Sequence, residues 1–123
     1  MYKFYNANKL GKYVNDCTIR AISLAEGKSW DYTYNKMSDL AQSHGTMMDD
    51  RKFIRDYLDS NYKKVPYLPY TVGEVAGEYP DKVLLITMDG HITCSLPGGI
   101  IYDSFDCRRR VAEDAWIVDK KEV

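Results

Sequence analysis

The sequence predicts an α+β fold in which N-terminal helices pack on a three- to four-stranded antiparallel sheet. Two observations carry this. Up to about residue 80 the apolar residues recur at helical spacing, and from there on they fall into short extended runs separated by turn pairs. No repeat, linker or low-complexity tract interrupts the 123 residues, so residues 1–123 read as one domain.

The first helix is expected from about residue 16 to 26. Asn15 and Asp16 are good N-caps, Ile19, Ile22 and Leu24 give a partial apolar stripe, and Gly27 is a suitable stop. Ser29 caps a second helix through "WDYTYNKMSDLAQS", where Trp30, Tyr34, Met37 and Leu40 or Ala41 share a face and Gly45 closes the segment. Asp49 or Asp50 opens a third, "RKFIRDYLDSNY", with Phe53, Ile54, Tyr57 and Leu58 together. Two prolines in "VPYLPY" forbid regular helix there. Thr71 and Glu74 then form the T-x-x-E of a capping box, and Pro80 ends the short helix that follows.

Beyond residue 81, "KVLLITM", the turn pair Asp89-Gly90, "HITCSL", a Pro97-Gly98-Gly99 turn and "IIYDSF" read as three antiparallel strands. "AWIVD" supplies a fourth, and "CRRR" between them is a connection.

Composition excludes more than it selects. With 45% apolar, 13% aromatic and 28% charged residues the chain is of ordinary globular type. Seventeen basic and eighteen acidic side chains leave a formal charge of -1, so no global field draws it to nucleic acid or an anionic membrane. The opening "MYKFYNANKL" lacks the apolar stretch of a signal peptide, and no window approaches the length of a membrane span. A cytoplasmic protein is expected. Three cysteines, Cys17, Cys94 and Cys107, are an odd number without a CxxC pair, which argues against a disulfide framework. A zinc site from these and a histidine would need distant ligands with no short chelating pair, so neither metal nor other cofactor is expected.

The chemistry centres on "NDCTIRAIS". Cys17 stands at a helix N-terminus, where unpaired N–H groups and the helix dipole favour thiolate, the reactive form. A nucleophilic thiol also needs a base, and the base a third group to orient it. Of the two histidines, His44 ends the second helix and reads as a surface cap. His91 opens a strand just after a tight turn, from which a ring can project into a cleft.

Asp103 and Asp106 are the candidate orienting residues, and hairpin register decides between them. A two-residue Gly98-Gly99 loop pairs residue 97 with 100 and sets His91 opposite Asp106. A three-residue loop with a glycine bulge pairs 96 with 100 and puts Asp103 on the face of His91 as a diagonal neighbour. Both registers are open.

"NDCTIRA" opening a helix, "DGHITCSL" opening a strand and "IIYDSFD" on the next, in the order Cys, His, Asp, resemble the papain-like cysteine peptidases. In that family the third residue is often the Asn of an Asn-Ser-Trp segment, which "DSF" at 103–105 resembles with Asp in its place, so the resemblance favours Asp103. A similar Asp-Cys-x-x-Arg-Ala, Gly-His and Asp-Ser/Thr-aromatic-Asp series occurs in small bacterial and phage proteins, and bacteriocin-leader peptidases are also similar. The likeness covers roughly residues 13–30 and 82–118. One feature departs from the pattern: papain-like enzymes carry a Gln several residues before the nucleophile as an oxyanion donor, and Gly11 holds that offset here, leaving Asn15 as the nearest amide.

The resemblance implies a thiol-dependent hydrolase of a peptide, isopeptide or amide bond in a peptide or protein substrate. Cys17 would attack, His91 would move the proton, Asp103 would orient the ring, and the Cys17 amide with Asn15 would hold the oxyanion. The alternatives are a non-catalytic papain-like scaffold, a phage or mobile-element protein that binds and inhibits a host protein, and an acyltransferase or deamidase using the same triad. The remaining candidates have simpler explanations. Cys94 alternates with core residues, Cys107 follows an Asp in a polar turn, and Arg108 to Arg110 read as a solvated turn. Arg20 would be fixed by Asp16 or by a sheet carboxylate.

Overall fold

In a computed structural model, which describes residues 1–118, the elements run β1(Tyr2–Phe4), α1(Cys17–Glu26), α2(Trp30–Ser43), α3(Arg51–Asn61), β2(Lys63–Lys64), α4(Val72–Glu78), β3(Leu84–Met88), β4(His91–Leu96), β5(Ile100–Asp103) and β6(Asp114–Ile117). The fold is α+β, and among the described residues no helix is long and apolar enough to cross a membrane. The last residue of the "AWIVD" segment lies outside the described residues.

The helix ends follow local chemistry. Ser29 accepts a hydrogen bond from the Tyr32 amide, Asp50 from the Phe53 amide, and Thr71 and Glu74 form the reciprocal capping box. Gly27 ends α1 in the left-handed conformation, at φ 68°. α1 differs at its start: Asp16 holds the N-cap position but makes no capping hydrogen bond, because its carboxylate is engaged elsewhere.

The sheet corrects the expectation of three or four antiparallel strands. It is mixed and six-stranded, in the order β1-β5-β4-β3-β6-β2. β3, β4, β5 and β6 pair antiparallel as expected, but β1 adds parallel to β5 and the two-residue β2 adds to β6. Both additions cover edges that would otherwise present unpaired backbone groups.

Helices cover both faces of the sheet, which is why β3 is buried at every position. On one face Leu85, Ile92, Cys94 and Trp116 pack against Ile22 and Ala25 of α1, Met37 of α2 and Leu58 of α3. On the other, Leu84, Ile86, Met88 and Ile101 meet Val72, Val75 and Ala76 of α4. Each large aliphatic side chain so buried contributes about 1.5 to 3 kcal/mol of transfer free energy. α1 lies along β4 and α2 along α1, so the head of α1 is fixed beside the start of β4.

The hairpin register is the one in which Leu96 pairs with Ile100, with Pro97 to Gly99 as the loop. Gly98 and Gly99 both have positive φ, 101° and 68°. Contacts to α4 and its end hold the loop. The Gly98 amide donates to the Pro80 carbonyl at 2.6 Å, and a Cβ on Gly99 would stand 3.3 Å from the Ala76 carbonyl oxygen.

Candidate active site

A cleft of about 250 Å³ is lined by Asn15, Cys17, Thr18, Thr87, Met88 and His91 among others, and Asp103 stands behind His91 outside that lining. Cys17 is the first residue of α1, His91 the first of β4 and Asp103 the last of β5. With Leu96 paired to Ile100, Asp103 falls diagonal to His91 on the same side of the hairpin, and Asp103 Oδ2 is 2.6 Å from His91 Nε2. Cys17 and His91 line the same cleft, and the ring lowers the pKa of the thiol. With Nε2 engaged by Asp103, Nδ1 is the nitrogen left to serve Cys17.

Asp103 is held from several directions. Its Oδ1 accepts from the Ser104 amide at 2.7 Å, and the Cys107 thiol points at Oδ2 from 3.7 Å. Its carbonyl oxygen takes the Tyr5 amide and the Tyr2 hydroxyl, at 2.8 and 3.1 Å. The unexpected strand β1 therefore fixes the backbone of Asp103. Phe105 lays its ring 4.6 Å from that of His91 and screens the imidazole from water.

Arg20, one turn into α1, links the helix to this carboxylate. It is buried, with Nε 3.1 Å from Asp16, Nη1 donating to Ser104 Oγ at 2.8 Å and Nη2 3.8 Å from Asp103. Both partners named from sequence, Asp16 and a sheet carboxylate, are thus present. Asp16 also accepts from Trp30 Nε1 at 2.9 Å, which is why it does not cap α1. The first amides of a helix lack intrahelical partners, and the Asp16 side chain does not occupy them here.

The charges of the three groups reinforce one another. Burial opposes the imidazolium of His91, but hydrogen bonding with Asp103, Cys107 and Cys17 and the charge of Asp103 outweigh it, and its pKa is pushed up to about 11. Burial likewise opposes the Cys17 thiolate, yet the hydrogen bond and charge of His91 bring the thiol below its usual value. Asp103, desolvated but bonded to His91, sits below the usual carboxylate range. These directions favour thiolate on Cys17 and imidazolium on His91, with a carboxylate behind the ring.

The other candidates stand apart. Asp106 is turned outward and holds Arg108 through both carboxylate oxygens, so the structure brings Asp103 rather than Asp106 to His91. Asn15 is exposed at the lip of the cleft. His44 is exposed at the end of α2, its Nδ1 3.3 Å from the Leu40 carbonyl. Cys94 is fully buried in the core.

Cys107 is the residue that sequence reasoning missed. Assigned to a polar turn, it is fully buried and its sulfur stands beside the His–Asp pair. The Asp106–Arg108 contact turns one side of this segment to solvent and Cys107 inward, and no periodicity signals that. His91, Asp103 and Cys107 offer ligand-type atoms within 4.8 Å of one another. Their 2.6 Å N···O separation is that of a shared proton; two ligands on a tetrahedral zinc would stand about 3.3 Å apart. Comparison of the chain with known protein families, with curated proteins and with solved structures finds no match.

Proposed function

We propose that the protein is a papain-like, thiol-dependent hydrolase of peptide, isopeptide or amide bonds. The observation that carries this reading is an imidazole bonded to the Asp103 carboxylate and lining one cleft with Cys17, at the head of a helix that its N-cap residue leaves without a side-chain cap.

In this mechanism the Cys17 thiolate attacks the acyl carbon, and the carbonyl oxygen takes up negative charge at the α1 N-terminus. The Cys17 amide is the first donor there, and Asn15 stands close enough in sequence to add a second. A good donor in such a hole contributes about 3 to 4 kcal/mol to the transition state. The His91 imidazolium gives its proton to the departing amine, leaving a thioester on Cys17. Neutral His91 then takes a proton from water as it attacks the thioester, the acid leaves, and the thiolate–imidazolium pair is restored. Asp103 keeps the ring oriented and favours its charged form. Acyl transfer or deamidation would use the same groups with a different acceptor or amide.

Iodoacetamide labelling at neutral pH tests activation: Cys17 is expected to react faster in the native protein than in a His91→Ala variant, and equal rates would overturn the reading. Mass spectrometry of products from a peptide mixture then separates hydrolysis from acyl transfer and deamidation.

One observation favours a second reading, a non-catalytic scaffold that inhibits a protein by binding it. Gly11, at the offset where the resembled enzymes carry Gln, offers no side chain, and there is nothing within 4 Å of the place its Cβ would occupy. Under that reading Cys17→Ala leaves the biological effect intact; as an enzyme, the same variant folds normally and loses it.

A further inference from the structure

Next to the Cys17 cleft, and sharing Asn15, Thr18 and Asp49 with it, is a pocket of about 320 Å³. It lies between residues 8–14, the head of α1 and the start of α2. The volume is at the low end of the range for ligand pockets, about 300 to 1,000 Å³. That suits one side chain better than a whole cofactor.

The pocket's chemistry is one-sided. Trp30 and Tyr34 stack at 5.1 Å between centroids with 26° between their planes, forming a flat aromatic wall. Leu10, Val14 and Met48 complete the apolar lining, and Leu10 and Val14 are 68% and 48% exposed, so their apolar surface is not spent on the core. Several of the polar groups that line it are already committed, while Lys12, Asn15, Thr18 and Asp49 stand at its edge. Trp30 Nε1 donates to Asp16, Asn8 Oδ1 accepts from the Leu10 and Lys12 amides at 2.9 and 3.4 Å, and Lys9 pairs with Asp31 at 3.2 Å. An entering group therefore meets the Trp30–Tyr34 wall and the aliphatic surface beside it, which favour an apolar side chain.

We propose that this pocket is a specificity subsite that takes an aromatic or large aliphatic side chain of a peptide substrate, within two residues of the bond presented to Cys17. The inference rests on Cys17 being the nucleophile, as proposed above. Continuity supports it: Asn15 and Thr18 flank the sulfur in sequence and line both spaces, so an extended peptide crossing Cys17 reaches the pocket without leaving the surface.

The test uses two series of electrophilic peptides that alkylate Cys17 with loss of chloride. Peptidyl chloromethyl ketones approach from the acyl side and chloroacetyl peptides from the leaving-group side, each with Phe, Leu, Ala or Asp at the two positions nearest the electrophile. In one series Phe or Leu is expected to react about 10-fold or more faster than Asp. Leu10→Asp/Val14→Asp should erase that preference while leaving the iodoacetamide rate unchanged. If Cys17 shows His91-dependent activation toward iodoacetamide and neither series separates Phe from Asp, the subsite is refuted and the nucleophile stands. If iodoacetamide reacts equally with wild type and His91→Ala, the underlying reading fails and the subsite with it.

Discussion

Replacing Asp103 by Asn keeps the shape of the side chain and removes its charge from a point 2.6 Å from His91 Nε2. At an effective dielectric near 20, opposite unit charges at that distance attract by about 6 kcal/mol. The rise of His91 from 6.5 to about 11 corresponds to a similar figure, about 6 kcal/mol at 1.36 kcal/mol per unit. Without that charge burial prevails, the ring is neutral at pH 7, and Cys17 loses the cation that holds its thiol down. A thiol at the ordinary 9.0 is about 1% ionised at pH 7. The more basic thiolate is also the better nucleophile, with a Brønsted slope of about 0.4 to 0.5, which offsets part of the loss. Iodoacetamide alkylation of Cys17 at pH 7 should therefore slow, by at most about 100-fold, read by mass spectrometry across the pH range. In wild type the rate should level off at a lower pH than in the variant, where it should climb until about pH 9. A folded Asp103→Asn protein reacting within about twofold of wild type at pH 7 would refute the ion-pair argument.

Stability should carry the same signature. His91 has a raised folded pKa, so its contribution is complete below about 6.5 and is lost as pH rises toward about 11. The urea-denaturation gap between wild type and His91→Gln should narrow over that window; a constant gap would count against the pairing. Asp103, with its lowered pKa, contributes above 3.8 and loses that contribution as pH falls through its folded value. The difference between wild type and Asp103→Asn should accordingly shrink in acid. Away from the site, Glu26 accepts from Lys36 Nζ at 2.6 Å, from the Tyr57 hydroxyl at 2.7 Å and from the Tyr62 hydroxyl, tying α1 to α2 and α3. Glu26→Gln should cost about 1.5 to 3 kcal/mol in urea denaturation. It should also let Tyr57, which burial and then Glu26 hold up, ionise at lower pH in an ultraviolet titration.

The parts of this fold that sequence exposes are those decided locally. Ser29, Asp50 and the Thr71/Glu74 pair cap helices by bonds that span three residues, and Asp89-Gly90 is the tight turn that joins β3 to β4. What stays hidden is decided across the fold. The hairpin register depends on Gly98 reaching the Pro80 carbonyl and Gly99 lying on Ala76, contacts with a helix that local pattern cannot place. "YKF" carries no strand signal of its own and becomes β1 only because β5 presents an open edge. Asp16 looks like an N-cap until Trp30 and Arg20 claim its carboxylate. The residue types of the candidate site are legible early because their chemistry is distinctive; the choice between Asp103 and Asp106 is not, because it is a matter of register.

The buried Arg20 network raises a question of purpose. A buried ion pair is often no more stabilising than apolar residues of the same volume, whereas removing one partner strands the other at about 3 to 5 kcal/mol. The Trp30–Asp16–Arg20–Ser104 chain is thus poorly explained by stability alone. Its consequence is geometric: it ties the head of α1, which carries Cys17, to the segment that carries Asp103, across 84 residues between Arg20 and Ser104. This separates two effects that a single substitution confounds. Arg20→Met leaves Asp16 and Asp103 without their shared cation and should lose about 3 to 5 kcal/mol in urea denaturation along with alkylation rate. Adding Asp16→Leu removes one of the stranded charges and should recover part of that stability. The Cys17 rate should stay low in the double variant, because the link between helix and hairpin is still missing. Recovery of rate together with stability would make Arg20 an ordinary structural residue and leave the alignment of Cys17 with His91 to the packing of α1 on β4.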